Sequence, residues 1–212
     1  LDYGPDIAHN SVVNCLGVGD RFSVTDNRRN WREDGELELL YVSVFYPHKD
    51  PITLAEATRL LNDQGLKTKS RITMEPHDFE PWPSSHGELQ ALQSERYADC
   101  VKIGRIEHHK LTDALKLYDA FVFPSMAETF GFPMVEAMRA GIPLVVSDIP
   151  IHREICGDAA LYFELSNPSD LAKRLNELDQ DPNLRESLVT RARKRAISGF
   201  SWEKHIALLH SV

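Results

Sequence analysis

The chain has 212 residues, 42% of them apolar, which is enough to bury the core of one sizeable domain or two small ones. Its 24 basic and 32 acidic residues give a formal net charge of −8. This balance argues against nucleic acid and against an anionic membrane surface as partners, because both require basic patches, and it favours small-molecule or protein partners.

The cysteines and the hydropathy pattern bear on where the protein works. Cys15, Cys100 and Cys156 are far apart and lack C-x-x-C spacing, which is typical of a reducing compartment, so we expect a cytoplasmic protein. No apolar run approaches the roughly 18 residues that cross a bilayer, so no transmembrane segment is predicted. Because the chain opens at Leu1 without Met, we expect it to be part of a longer protein.

Strand-like and helix-like segments alternate from Leu37 onward. The run LELLYVSVF (37–45) is nearly continuously apolar and rich in strand formers, which is typical of a parallel strand covered on both faces. Further strands are predicted at 67–74, 101–106, 120–124, 143–147 and 160–163. Helices are predicted at 53–64, 88–98, 112–118, 133–140 and 151–156, followed by mostly helical residues over 169–212.

This alternation predicts an α/β fold, a Rossmann-like parallel sheet flanked by helices. Residues 1–36 are mixed and polar, and we interpret them as a lead-in segment that precedes a domain over 37–212. Ligands of such sheets bind beyond the carboxyl ends of the strands, so the loops that follow the strands are the candidates for function.

The segment PSMAETFGFPMVEAMRAGIPLVVSD (124–148) carries the strongest functional signal. A strand ends at Pro124, and Pro133 stands where a first helical position is expected, since its missing N–H costs nothing there. The free N–H groups of Gly131, Phe132, Met134 and Val135, with the positive end of the helix dipole, predict a diphosphate site. Gly131 has no Cβ to keep a ligand from the backbone.

Two glutamates flank this helix start. Glu136 lies about one turn into the helix, where its two carboxylate oxygens can accept hydrogen bonds from both hydroxyls of a ribose. Glu128 precedes the helix and can hold a sugar hydroxyl. Either residue alone has an ordinary reading, since an acid near a helix start is favourable in any protein and a loop acid is usually solvated.

The surrounding string identifies a family. The pattern P-S-x-x-E-x-F-G-x-P-x-x-E-A-M-x-x-G-x-P-x-V-x-S-D, which contains E-x7-E, resembles the donor-binding signature of the retaining GT-B glycosyltransferases called the glycosyltransferase 4 family. Upstream, YVSVFYPHKDP (41–51) and VKIGRIEHHKLTDALKLYDAFVFPS (101–125) are similar to other segments of that family. The likeness covers roughly residues 37–163.

The resemblance implies a specific activity. The chain would be the C-terminal, donor-binding half of a GT-B fold, and the N-terminal acceptor domain would lie outside it. The donor would be a nucleotide diphosphate sugar, with UDP or GDP the expected nucleotide, and no cofactor or metal would be needed. The sugar would pass with retention to a glycan or lipid-linked acceptor in polysaccharide or glycolipid biosynthesis, and the full-length protein could lie at the inner face of the membrane.

The resemblance also implies a role for each site residue. Glu128 would contact the donor sugar, Lys49 would neutralise the diphosphate, and Glu136 would hold the ribose. Backbone groups of the helix start would line the sugar pocket, and the end of a strand would border the base. These further residues are Phe130, Gly131, Phe132 and Pro133 for the pocket, and Gly104 and Arg105 for the base.

One departure from the family keeps two alternatives open. Where the family has a Gly-Arg pair ahead of the lysine, this chain has Ser43 and Val44. Loss of one of two cations beside a leaving diphosphate weakens stabilisation of the developing charge. A degenerate, non-catalytic nucleotide-sugar-binding module is therefore one alternative. A GT-B sugar-nucleotide epimerase is the other, and it does not depend on this departure. No metal site is predicted from His108 and His109, because adjacent side chains point in different directions and no third ligand lies nearby.

Overall fold

The computed structural model describes residues 16–19, 22 and 28–211. Within these residues the secondary structure alternates between strands and helices, as predicted. The strands are β1 (Leu37–Tyr41), β2 (Thr68–Ile72), β3 (Val101–Ile103), β4 (Ala120–Phe123), β5 (Leu144–Ser147) and β6 (Leu161–Phe163). The helices are α1 (Pro51–Asp63), α2 (His86–Leu92), α3 (Leu111–Ala114), α4 (Phe132–Ala140), α5 (Pro150–Cys156), α6 (Pro168–Gln180), α7 (Pro182–Gly199) and α8 (Trp202–Ser211).

The described strands form one parallel sheet in the order β3-β2-β1-β4-β5-β6. This is the Rossmann order, and it confirms the predicted fold class. The chain leaves β1 toward one edge of the sheet and resumes at β4 toward the other edge. A crevice therefore opens between the carboxyl ends of β1 and β4, which is where ligands of doubly wound sheets bind.

The central strands are covered on both faces. Every residue of β4 and β5 is buried, which explains why their sequences, AFVF and LVVS, are almost wholly apolar. The described parts of the lead-in segment pack against this domain, since Arg28 donates to the carbonyls of Tyr118 and Gly141 at 2.9 and 2.7 Å. The boundary between residues 36 and 37 stays a prediction.

The predicted strand over 37–45 is wrong for its last four residues. Strand β1 ends at Tyr41, and the apolar run continues into a loop in which Phe45 is buried and stacks on Phe79 at a centroid distance of 3.7 Å. Val44 is instead 57% exposed. The run is apolar because residues 37–41 pack in the sheet and Phe45 packs against Phe79 beyond it.

Helix α4 begins where the sequence predicts. Phe132 is its first residue and Pro133 its second, and the glycines that bound it, Gly131 and Gly141, both adopt positive φ, at 82° and 70°. A Cβ on Gly131 would also lie 2.5 Å from the Met134 side chain, so both the conformation and the space require glycine there.

Other helix boundaries differ from the prediction. Helix α2 ends at Leu92 rather than Ala98, and α3 ends at Ala114 rather than Tyr118. The C-terminal residues are helical as predicted but divide into α6, α7 and α8. Asp181 separates α6 from α7, because its side chain caps α7 by accepting from the N–H of Leu184 at 3.0 Å.

Candidate active site

The loops after β1 and β4 bring Lys49 and Glu128 together at the switch point of the sheet. The Lys49 Nζ lies 2.5 Å from the Glu128 Oε1, and the two side chains are only 11% and 9% exposed. The Lys49 ammonium also lies 5.6 Å from the centroid of the Phe123 ring. An ion pair this well shielded from solvent interacts more strongly than a surface pair.

A cavity at the carboxyl ends of the strands is bounded by this ion pair. Its volume is about 570 Å³, within the range of small-molecule sites. Besides Lys49 and Glu128, its lining includes Phe123 of β4 and three residues of α5, Ile151, Glu154 and Ile155. The start of α4 lines it too, through Phe130, Gly131, Phe132 and Pro133, and their contact with a donor stays a prediction. We call this space the main cavity.

The structure has fewer free N–H groups at the start of α4 than the sequence predicts. The N–H of Met134 donates to the carbonyl of Gly131 at 2.9 Å, so it is already bonded. The side chains of Met134 and Val135 are fully buried, and neither residue lines the main cavity. The positive end of the helix dipole nevertheless faces the cavity through Gly131, Phe132 and Pro133.

A second cavity of about 370 Å³ adjoins the main one and shares Ser43, Phe132 and Pro133 with it. We call it the side cavity. Glu136 lines the side cavity rather than the main one, and Arg105 lines it too. The two acids of the E-x7-E pattern are thus separated by the start of α4.

The side cavity also contains residues that the sequence did not single out. Glu75 and Asp78 line it, and both belong to the loop after β2. Gly104 lines neither cavity, and its N–H continues the ladder to β2 by donating to the Ile72 carbonyl at 3.0 Å. The only sequence signal for Glu75 and Asp78 was their place after a strand.

Val44 stands where the resemblance leads us to expect an arginine. It lines the side cavity with 57% of its surface exposed, next to Ser43, which lines both cavities. The Ser43 backbone is fixed by Thr73, whose hydroxyl accepts from the Ser43 N–H at 2.9 Å and donates to its carbonyl at 3.0 Å. Position 44 is thus exposed beside a residue that lines both cavities.

A chain of buried hydrogen bonds lies beneath the ion pair. The Tyr41 hydroxyl donates to the Lys49 carbonyl at 2.8 Å and lies 3.3 Å from the Ser125 hydroxyl. The Ser147 hydroxyl donates to the Ser125 carbonyl at 2.5 Å, and the His152 Nδ1 lies 2.9 Å from the Ser147 carbonyl. Burial raises the pKa of Tyr41 and lowers that of His152, so both stay neutral near pH 7. These bonds fix the backbone on both sides of the site without adding charge.

Among the residues that the structure describes, no helix is long and apolar enough to cross a membrane. Within the same residues, no three His, Cys, Asp or Glu side chains are grouped so as to hold a metal ion.

Cys15 lies outside the described residues, whereas Cys100 and Cys156 are free thiols. Burial raises the pKa of the Cys156 thiol to about 12, so it is not a nucleophile near neutral pH.

The sheet order and the position of the cavities define a class of protein. A Rossmann-like domain with its cavity at the switch point, beside the start of a helix, has the architecture of the C-terminal half of a GT-B glycosyltransferase. The chain belongs to the family described as Glycosyl transferases group 1, which matches residues 23–195.

Individual relatives agree with this membership. O-antigen chain mannosyltransferase B from Escherichia coli is 27% identical over 198 residues, which are 93% of this chain and 49% of that protein. The C-terminal domain of a Glycosyl Transferase Group 1 family protein (LpcC) from Francisella tularensis superposes with a TM-score of 0.67 at 16% identity, covering 88% of this chain and 100% of that one. HepE from Anabaena, solved in complex with UDP and glucose, superposes with a TM-score of 0.73 at 18% identity, covering 92% and 55%. The chain thus spans about half the length of its Escherichia coli relative.

Proposed function

We propose that this chain binds a nucleotide diphosphate sugar and supplies the donor half of a retaining glycosyltransferase. The observation that carries the proposal is the Lys49–Glu128 pair, which forms a wall of the main cavity beside the start of α4. A cation, a carboxylate and a helix N-terminus around one cavity match the charges and hydroxyls of a sugar diphosphate. Retention and independence of metal ions are inferred from family membership.

The two adjoining cavities support an arrangement of the donor. The sugar and the diphosphate occupy the main cavity, with the phosphates at the start of α4, and the nucleoside extends into the side cavity. There Glu136 accepts hydrogen bonds from the ribose hydroxyls, and Arg105 borders the base. The shared residues Phe132 and Pro133 lie where the diphosphate joins the two ends of the donor.

The ion pair supports a role in the transfer step. Glu128 neutralises Lys49 through their ion pair. When the diphosphate binds, Lys49 gains a second anion, and Glu128 can accept a hydrogen bond from a sugar hydroxyl. The bond from the anomeric carbon to the diphosphate breaks, and an acceptor hydroxyl oxygen bonds to that carbon and gives its proton to the departing diphosphate. The electron pair of the broken bond stays on the diphosphate, where Lys49 and the helix N-terminus stabilise the added charge.

The relatives support a role in polysaccharide synthesis. The Escherichia coli relative is named for mannosyl transfer to an O-antigen chain, so a mannosyl donor is the first to test. The acceptor, a glycan or a lipid-linked glycan, would be bound largely by the half of the full-length protein that lies outside this chain. Cytoplasmic location, with the full-length protein at the inner face of the membrane, stays a prediction.

Calorimetric titration of the chain with UDP, GDP and ADP, and with their sugar conjugates, tests the proposal. We expect one nucleotide diphosphate to bind, and its binding to weaken in Glu136→Ala. If no nucleotide binds to the parent chain, the proposal fails. Release of a free epimer of the nucleotide sugar, with no acceptor present, would favour the epimerase alternative instead.

One observation favours a second candidate function. Among the described residues that line the main cavity, Lys49 is the one lysine or arginine. The family has two cations at this site, and Val44 takes the place of the second. If the full-length protein binds a nucleotide sugar but does not transfer it, and Val44→Arg restores transfer, the chain is a degenerate nucleotide-sugar-binding module.

A further inference from the structure

A third cavity also borders the ion pair. Its volume is about 370 Å³, and its lining residues are Tyr46, His48, Lys49, Ala127, Glu128 and Thr129. Lys49, Glu128 and Thr129 line both this cavity and the main one. A molecule in the third cavity would therefore lie against the same two charged side chains as the sugar of the proposed donor.

Tyr46 gives this cavity an aromatic wall. Its side chain is 44% exposed, and its ring has two aromatic neighbours. The His48 ring stacks on it at a centroid distance of 5.7 Å and 18° between planes, and the Trp82 ring lies 5.8 Å away. Trp82 packs against the hydrophobic core, which helps to fix the position of the Tyr46 ring. An exposed aromatic ring that is already held in place binds the apolar face of a flat ligand at little entropic cost.

The charges around the third cavity favour a neutral ligand. The Lys49 ammonium is neutralised by Glu128. Burial and the neighbouring Lys49 lower the pKa of His48, so its imidazole is neutral near pH 7. No residue of α4 lines this cavity, so the helix dipole that suits a phosphate is not directed into it. Hydroxyl groups, by contrast, find acceptors and donors in Glu128, Thr129 and His48.

The two loops that form the cavity are tied to each other. The N–H of Met126 donates to the carbonyl of His48 at 2.7 Å, and the N–H of Lys49 donates to the carbonyl of Tyr46 at 2.9 Å. The aromatic wall and the polar wall thus keep a fixed spacing. A rigid cavity with one aromatic face and a few hydroxyl-binding groups is suited to a single pyranose ring.

We propose that the third cavity is an acceptor subsite that binds a neutral pyranose of the glycan acceptor, with the sugar ring on Tyr46 and a hydroxyl directed toward Glu128. This inference rests on the proposed function, since it places the acceptor against the same ion pair as the donor sugar. It assigns part of acceptor recognition to the donor half of the enzyme.

The test is an NMR titration of the ¹⁵N-labelled chain with a nucleotide diphosphate and then with methyl α-mannopyranoside. We expect the mannoside to shift the amide signals of residues 46–49 and 126–129 in a saturable way while the nucleotide stays bound. Tyr46→Ala should weaken mannoside binding by about tenfold, which corresponds to about 1.4 kcal/mol, and leave nucleotide affinity unchanged. Tyr46→Phe keeps the ring and should bind like the parent.

Leu117→Ala is the matched control, because Leu117 is also an exposed large apolar residue, at 63%, but lies before β4 at the opposite end of the sheet. It should not change either affinity. A chain that binds nucleotide but shows no mannoside shifts at the third cavity, or a Tyr46→Ala variant that binds mannoside as well as the parent, overturns the subsite. Failure of the parent chain to bind any nucleotide contradicts the proposed function instead, so the two failures are distinguishable.

Discussion

Lys49 and Glu128 lie 79 positions apart in the sequence, and their side chains meet at 2.5 Å between Nζ and Oε1. Each follows a different central strand, and the pairing of β1 with β4 brings the two loops to the same edge of the sheet. The pair lines both the main cavity and the third cavity. A ligand in either cavity therefore contacts Lys49 and Glu128, and it either replaces one partner of the ion pair or binds as a third partner.

Replacing Lys49 should separate binding of the diphosphate from binding of the nucleoside. In Lys49→Met we expect affinity for a nucleotide diphosphate to fall by about tenfold or more, because a charged hydrogen bond contributes about 1.5–3 kcal/mol. Affinity for the monophosphate should change much less, since the lysine is proposed to contact the diphosphate. Calorimetric titration with both nucleotides measures the difference.

Lys69→Met is the control for this substitution. Lys69 also pairs with a glutamate, Glu36, at 2.5 Å, but its side chain is 50% exposed and it lies at the start of β2, away from the site. Its removal should leave both affinities unchanged, since exposed pairs contribute about 0–1 kcal/mol to stability and this one touches neither cavity. Equal losses for monophosphate and diphosphate in Lys49→Met would contradict the proposed role.

Glu136 gives the second prediction. Glu136→Ala should lower nucleotide affinity by about 1–3 kcal/mol without unfolding the domain, because its carboxylate is proposed to accept the ribose hydroxyls in the side cavity. A 2′-deoxynucleotide should lose less affinity on the same substitution. Glu186→Ala is the control, since Glu186 is likewise the fifth residue of its helix, α7, but lines neither cavity. Unchanged binding by Glu136→Ala would rule out the ribose role.

The predictable parts of this protein were those with a local signal. The apolar runs predicted the strands, and Pro133 predicted the start of α4 to within one residue. The end of β1 was not predictable from its own residues. Phe45 continues the apolar run because it packs against Phe79, which is distant in sequence, and not because it belongs to the strand. The side-chain pairing of Lys49 with Glu128 was equally hidden, since it depends on strand order.

Glu56 gives a prediction for stability against pH. Its carboxylate accepts hydrogen bonds from Arg59, Arg96 and Tyr97, and the Arg59 bond above all lowers its pKa from 4.5 to about 2. A lowered pKa means that the unfolded chain takes up the proton first as the pH falls. The stabilisation is therefore complete above about pH 4.5 and is lost as the pH falls toward 2.

Glu56→Gln should accordingly unfold at a lower urea concentration than the parent at pH 7. The difference between the two midpoints should shrink as the pH is lowered from 4.5 toward 2. Urea titrations at pH 7, 4.5 and 3 measure it, and a difference that does not depend on pH would show that the ion pairs of Glu56 do not stabilise the fold.

Val44 gives the last prediction, which bears on whether the site is competent. Val44 lines the side cavity next to Ser43, which lines both cavities, so we expect a guanidinium at this position to approach the proposed diphosphate. We therefore expect Val44→Arg to raise affinity for a nucleotide diphosphate by about 1.5–3 kcal/mol and to leave affinity for the nucleoside unchanged.

Leu117→Arg adds the same charge to a similarly exposed apolar position at the opposite end of the sheet, and it should change neither affinity. If both variants raise affinity alike, the gain reflects net charge, and position 44 does not face the diphosphate. If only Val44→Arg does so, the valine accounts for a weaker hold on the leaving group, and transfer by the full-length protein should rise with the same substitution.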